Sequence, residues 1–292
     1  DPSAPRPDTL PLSYAQQRMW FINRFDPELA TYNIPAVLRL RGTLDVAVLQ
    51  RALVDVVQRH EVLRTTFPAI AGEAVQLIAS PTAVPEDLSF QQVQTLADFE
   101  ASVASGFDLA EQWPIRAVLF AEDPENALFA VVVHHIAADG ESLLPLVTEL
   151  VTAYRAHSRG ENPQLPELPI QFADYALWQR DALGDESDAQ SVLGRQLAYW
   201  QRRLDGLPDV LVLPTDRPRP ADSSYRGAEH HFSIPAPVAE QIAALAQREA
   251  GTPFMVVHAA LAALLARLSA TDDIAIATPV AGRGQAVLDG LI

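Results

Sequence analysis

Residues 131–142 read VVVHHIAADGES. Three valines run into two adjacent imidazoles, and four residues after the second comes an aspartate followed by glycine. Such an apolar run, closed by turn residues, reads as a buried strand. Neighbouring side chains on a strand face opposite ways, so one of His134 and His135 points into packing and the other away from it. The residue types admit three readings: packed strand-end residues, metal ligands, or the base of a catalyst. A metal site is disfavoured, because no His-x-x-x-His occurs and cysteine is absent. A serine triad is weaker still: there is no Gly-x-Ser-x-Gly, and helix capping accounts for Ser142.

The flanks give this stretch its setting. Residues 115–120 and 127–133 read as two strands split by the turn-like segment 122–126, which makes a hairpin whose second strand is buried on both faces. A helix is predicted from Ser142 to Ala156, with Pro145 in the first turn, where no amide donor is needed. The histidines therefore sit on a tight strand-to-helix loop, where functional groups collect on a rigid scaffold. Gly140 permits a positive φ or a close backbone approach to a ligand. Amides opening the helix suit a developing oxyanion, and a neutral imidazole suits proton removal from an amine or alcohol. Asp139 is expected to fix the loop or pair with an arginine. Glu141 either tunes the substrate or favours the helix start.

Elsewhere Ser13 and Gln16 have the spacing of a capping box, opening a helix through Trp20. Thr43 is expected to cap a second helix. His60 and Arg64, at the end of that helix, are read as shaping the core beneath the histidine loop. Short strands are predicted at 36–40 and 75–78, a helix at 171–181, a polar insertion at 184–188 and a proline-rich crossing at 207–227. Then follow a strand at 228–234, helices at 237–250 and 253–268, and a strand at 274–278. Mixed strands and helices give an α/β (α+β) class with a lobe change near 180–220. Trp20, Trp178 and Trp200 are read as packing residues, and His230-His231 as surface or packing.

The chain has 292 residues, 49% apolar, with a net charge of 21 − 37 = −16. A core of domain size is available, and phosphate backbones are repelled, so nucleic acid is not an expected partner. Absence of cysteine removes disulfides and thiol catalysis and fits a cytoplasmic protein. No long apolar run or signal pattern occurs, so no membrane partner is expected. Four prolines within residues 1–11 suggest a linker over 1–12, and the apolar Leu291-Ile292 suggests a chain that stops inside a domain.

Four motifs in order surround the histidines. Residues 13–20, SYAQQRMW, fit SxAQxRxW; residues 59–67, RHEVLRTTF, fit RHExLRTxF; residues 134–140 fit HHxxxDG; and residues 172–179, FADYALWQ, supply a fourth. Residues 279–283, PVAGR, are similar to the stretch before a fifth. On these residues the chain resembles, over its whole length, the condensation domain of non-ribosomal peptide synthetases. The resemblance implies two chloramphenicol acetyltransferase-like lobes in a V, the second truncated: an N-terminal lobe over 13–180, then a crossover and the first part of a C-terminal lobe over 181–292. It implies upstream (donor) and downstream (acceptor) peptidyl carrier proteins and an adjacent adenylation domain as partners. Phosphopantetheine arms come with the carriers; no cofactor or metal is implied for the domain itself.

The implied reaction is attack of the acceptor's α-amine on the donor's thioester carbonyl, forming a peptide bond. His135 is implied at the reacting centre, as general base or as positioning group, with the Gly140 amide close to the reacting carbonyl. His134, Asp139, Arg59 and Arg64 are implied as structural support. Asp139 and Arg59 resemble a buried ion pair whose breakage costs about 3–5 kcal/mol. Gln16, Arg18, Glu141 and Ser142 are placed toward the tunnel, an exposed helix surface being the equal reading for Gln16 and Arg18. Intact His134 departs from the heterocyclising pattern, and Glu141-Ser142-Leu143-Leu144 from the epimerising one. The insertion 184–188 resembles that of domains accepting a D-configured donor. A stand-alone or terminal acyltransferase of the same superfamily, acting on a soluble amine or alcohol, and an inactive recruitment domain of the same fold are the alternative functions.

Overall fold

The strand that ends in His134 is an interior strand. In the computed structural model, which describes residues 5–85, 88, 90–218, 220, 227–280 and 282–292, the chain runs β1 (Leu10–Pro11), α1 (Tyr14–Phe25), β2 (Asn33–Arg41), α2 (Val46–Arg59), β3 (Thr65–Thr66), β4 (Ala69–Ile70), β5 (Glu73–Ile78), β6 (Phe90–Val93) and α3 (Leu96–Val103). It continues with β7 (Ile115–Asp123), β8 (Asn126–His134), α4 (Leu143–His157), α5 (Phe172–Leu183), α6 (Val192–Arg203), α7 (Ala236–Arg248) and α8 (Pro253–Ser269). The main sheet has the order β2-β8-β7-β6, with β6 parallel to β7 and the other pairs antiparallel. β8 is hydrogen-bonded on both edges and covered on both faces, which explains why it reads as an unbroken apolar run. Phe129, Val131, Val132 and Val133 are fully buried.

The amphipathic α2 buries Val48, Leu49, Ala52, Leu53, Val56 and Val57. Its cap is Asp45, which accepts from the Val48 amide at 3.0 Å, and not Thr43. The capping box of α1 is present: Ser13 and Gln16 exchange side-chain-to-backbone hydrogen bonds of 2.9 and 3.1 Å. Residues 5–12 are fastened, contrary to the expected linker. The Arg6 fork reaches Asp174 at 2.7 and 3.0 Å and Glu61 at 2.7 Å, and β1 pairs with β5. Residues 1–4 of that stretch lie outside the described residues.

The chain divides into one unit of residues 1–194 and 281–292 and a second of 195–280. The first therefore extends past residue 180 and takes back the last residues. Gly194 packs against the Asp188 carbonyl so closely that a side chain there would collide with it, at 2.2 Å. In the second unit α7 packs on α8. The strands expected at 228–234 and 274–278 are not formed among the described residues: neither segment has regular secondary structure. Trp178 and Trp200 are about half exposed, not core. What α5 buries is Ala173 and Ala176, while Tyr175 and Trp178 lie against each other with ring centroids 5.8 Å apart. Trp20 does pack, its indole N–H donating to the Phe67 carbonyl at 2.8 Å. Among the described residues no single helix is long and apolar enough to cross a membrane.

Candidate active site

The end of β8 separates the two histidines. His134 is buried and pairs in register with Asn33 of β2, its amide donating to the Pro114 carbonyl at 2.9 Å. Its Nδ1 accepts from the Ile136 amide at 3.1 Å. Burial, helped by neighbouring His135, pushes the His134 pKa from 6.5 down to about 4. The ring is then neutral at pH 7, and because Nδ1 accepts, the proton sits on Nε2. His135 points the other way and is exposed; its amide donates to the Tyr32 carbonyl at 2.8 Å, and its ring has no hydrogen-bond partner among the described residues. A buried imidazole thus shapes the turn that presents an exposed one.

The rest of the turn is tied from three sides. Gln16, expected toward a tunnel or on a surface, is buried instead: its amide nitrogen donates to the Ile136 carbonyl at 3.3 Å and its oxygen accepts from Ser13. The Asp139 carboxylate accepts from the Ser142 amide and hydroxyl at 2.9 and 2.8 Å, and its own amide donates to the Ser142 oxygen at 3.0 Å. Ser142 is therefore committed to Asp139 and does not cap α4, which has no side-chain cap. Arg283 completes the lock, donating to Asp139 at 3.0 Å and to the Ser142 hydroxyl at 2.9 Å. Its other nitrogen donates to the carbonyls of Leu291 and Leu288 at 2.6 and 3.3 Å. Burial pushes the Asp139 carboxyl up, but the Ser142 hydrogen bonds and the Arg283 charge outweigh it and leave it below its ordinary value.

Arg59 is not the partner of Asp139. Its Nε donates to Glu149 of α4 at 3.0 Å, and a second nitrogen donates to the Pro166 carbonyl. His60 shares the same carboxylate, Nε2 to Glu149 at 2.8 Å. The physical reason is local: both residues end α2, which packs along α4, so the nearest anion is on that helix and not in the turn before it. Burial raises the Glu149 carboxyl, and its interactions with His60 and Arg59 outweigh that, leaving it below its ordinary value. Arg64, also buried, donates to the Gln58 and Ala79 carbonyls, joining the end of α2 to the segment after β5. A cleft of about 410 Å³ borders Arg59, Pro163, Leu165, Glu167, Leu168 and Gln171, none of them from the histidine turn.

One turn thus assembles His134, His135, Asp139, Gly140, Glu141 and Ser142, with Gln16 beneath. Gly140 and Glu141 are exposed, and Gly140 lies outside the positive-φ region, with open space where a side chain would stand. Arg18 is exposed on α1, while Arg59 and Arg64 act elsewhere in the first unit. Arg283 and Glu149 were not singled out in the sequence. Arg283 is the sole basic residue after Arg267, and that was the available signal.

A family model of the condensation domain matches residues 6–292. The chain belongs to the condensation-domain family. This condensation domain is 47% identical, over 290 residues, to the probable non-canonical nonribosomal peptide synthetase CymA of Salinispora arenicola, covering 98% of this chain and 4% of that protein. Among solved structures it is similar to the X-domain in complex with OxyB from teicoplanin biosynthesis, with TM-score 0.82 and 36% identity, over 92% of this chain and 59% of the other. It also matches the first condensation domain of the CDA synthetase at TM-score 0.70 and 22% identity, over 98% and 68%, a likeness of fold. The α/β fold is accordingly the chloramphenicol acetyltransferase-like one of condensation domains.

Proposed function

We propose that this condensation domain forms a peptide bond between two carrier-bound substrates. The acceptor amine attacks the donor thioester carbonyl; a C–N bond forms, the C–S bond breaks, and the sulfur leaves on the donor's pantetheine arm. The nitrogen loses one proton, and His135 is the group placed to receive it or to orient the amine by hydrogen bonding. The observation that carries this reading is the division of labour at the end of β8. An exposed imidazole stands on a turn whose buried His134 ring and Asp139–Ser142 pair are engaged in holding its shape, which leaves His135 facing outward beside exposed Gly140 and Glu141. The Gly140 backbone, exposed and without a Cβ, lets the reacting carbonyl come close.

Membership of the family supports acyl transfer, and soluble carrier proteins bearing phosphopantetheine, with a neighbouring adenylation domain, are the proposed partners. The test loads a donor and an acceptor carrier with defined aminoacyl groups and detects the dipeptidyl thioester by mass spectrometry, with His135→Ala alongside. Product from the native protein and its loss in the variant are expected. Equal product from both would remove His135 from the chemistry. Product with a free amine alone would favour an acyltransferase acting on soluble acceptors.

A second reading, recruitment of a partner protein without condensation, is favoured by the likeness to the teicoplanin X-domain, which was solved with OxyB bound. No dipeptide from the native protein, together with a stable complex with OxyB, would decide for it.

A further inference from the structure

Arg116 of β7 has an unusual environment. It pairs in register with Val132, two residues before His134. Its guanidinium lies over the face of Phe107, 4.3 Å from the ring centroid, and donates to the Ser105 carbonyl at 2.8 Å and the Gly106 carbonyl at 3.3 Å. No carboxylate pairs with it among the described residues, and burial pulls its pKa down. Its Nε is buried without a hydrogen bond, and so is Oδ1 of Asn33. Those two side chains converge on one acceptor, since Asn33 donates to the same Ser105 carbonyl at 2.7 Å. An unpaired buried polar atom carries its full desolvation penalty. A fold that keeps two of them at one spot, beside a desolvated cation, is not optimised there for stability alone.

The spot adjoins the site. Phe107 is buried, and its ring meets the His134 ring edge-on at 6.1 Å. Asn33 is the register partner of His134. Gly106 fixes the other side of this loop, because a Cβ there would stand 2.1 Å from the Pro27 carbonyl oxygen. The loop is therefore gripped between the Pro27 backbone and the Arg116 fork, with Phe107 as the wall for the imidazole.

We infer that Arg116 is a positioning residue for condensation. Acting through Phe107, it seats the His134 ring so that Nδ1 receives the Ile136 amide, and so holds the turn that presents His135. This rests on the peptide-bond reading for its catalytic consequence, but not for its structural one.

The experiment compares the native protein with Arg116→Lys, which keeps the charge and loses the planar fork, and Phe107→Leu, which removes the stacked face and keeps the cation. Two quantities are read. Imidazole ¹⁵N shifts of His134 report the tautomer, expected to be Nε2–H in the native protein and a mixture in each variant. The kcat for dipeptidyl thioester is expected to fall at least about tenfold in each, with the acceptor KM within about twofold, since small misplacement acts on orientation. The double variant is expected to lose little beyond either single one, because both act along one path. An unchanged His134 tautomer in both variants overturns the proposal, whatever the rate. So does a mixed tautomer with native kcat. Where Arg116→Lys does not fold, Phe107→Leu carries the same two readings. If the native protein makes no dipeptide, the condensation reading fails, while the tautomer still decides whether Arg116 seats His134.

Discussion

Arg283 grips Asp139 at 3.0 Å across 144 residues of chain, and the same guanidinium holds the Leu291 carbonyl at 2.6 Å. The loop carrying the histidines is thus fastened to the last residues of the chain. With Asp139 about 41% exposed at its side chain, the pair does not have the energetics of a fully buried one. A coupling of about 1 kcal/mol is expected, in place of the 3–5 anticipated for Asp139 with Arg59. A double-mutant cycle with Arg283→Gln and Asp139→Asn should give that coupling in urea unfolding. The same cycle with Arg59→Gln and Asp139→Asn should be additive, because Arg59 belongs to Glu149. Coupling in the second cycle and none in the first would show that the observed pairing is not the one that matters in solution.

His134 imposes a pH dependence whose sign follows from burial. Its folded pKa, about 4, lies below the ordinary 6.5, so between those values the unfolded chain takes up a proton that the folded one refuses. Stability is complete above the ordinary value and declines as pH falls through the window, by about 2 kcal/mol at pH 5 from this ring alone. The depressed carboxyls of Asp139 and Glu149 contribute in the same direction at lower pH: their stabilisation is lost as pH falls through their folded pKa values. Urea unfolding at pH 7.5 and 5 should show the loss, and His134→Leu should remove the part above pH 5. An equal loss in the variant would assign the dependence to other groups.

The elements around the site were legible because their signals are local. An apolar run, a turn at 122–126 and a three-and-four periodicity after Ser142 place β8 and α4 within one residue at each end, and β7 at its start, though it runs three residues further, to Asp123. The partner of Asp139 was not legible. Ion pairing across distant segments leaves no periodicity, and Arg59 was the plausible cation only by resemblance of motif. The segments at 228–234 and 274–278 misled for a related reason: sequence composition states a propensity, whereas a strand requires a neighbour. Trp178 reads, by sequence, as core or lobe packing. On α5 the two alanines face the core, and Trp178, about half exposed, lies against Tyr175 instead.

Glu149 is expected to matter for stability and not for chemistry. It receives Arg59 and His60, and its side chain is about 12% exposed, so Glu149→Gln leaves two donors poorly satisfied at the α2–α4 contact. The loss should be about 3 kcal/mol. At a temperature where the variant is still folded, the dipeptide-forming rate per folded molecule should stay close to native. His135→Ala should do the opposite, with native unfolding and no product. A Glu149→Gln variant of native stability and lost rate would place this carboxylate in the catalytic path.

Two glycines separate structural from substrate-facing roles. At Gly106 a methyl group would collide with the Pro27 carbonyl oxygen at 2.1 Å, a backbone atom that cannot move aside cheaply. Gly106→Ala is therefore expected to lower stability by about 1–3 kcal/mol, as overpacking does. At Gly140 nothing lies within 4 Å of a built Cβ, and the residue lies outside the positive-φ region, so neither strain nor collision opposes an alanine. Gly140→Ala should leave unfolding within about 0.5 kcal/mol of native, as surface substitutions do. If the reacting carbonyl approaches this backbone, the added methyl meets substrate and not protein, and the dipeptide-forming rate should fall at least about tenfold. Thermal unfolding and the carrier assay on the same preparation distinguish the cases. Native stability with a native rate would remove Gly140 from the substrate path and leave His135 as the turn's sole contact with the reaction.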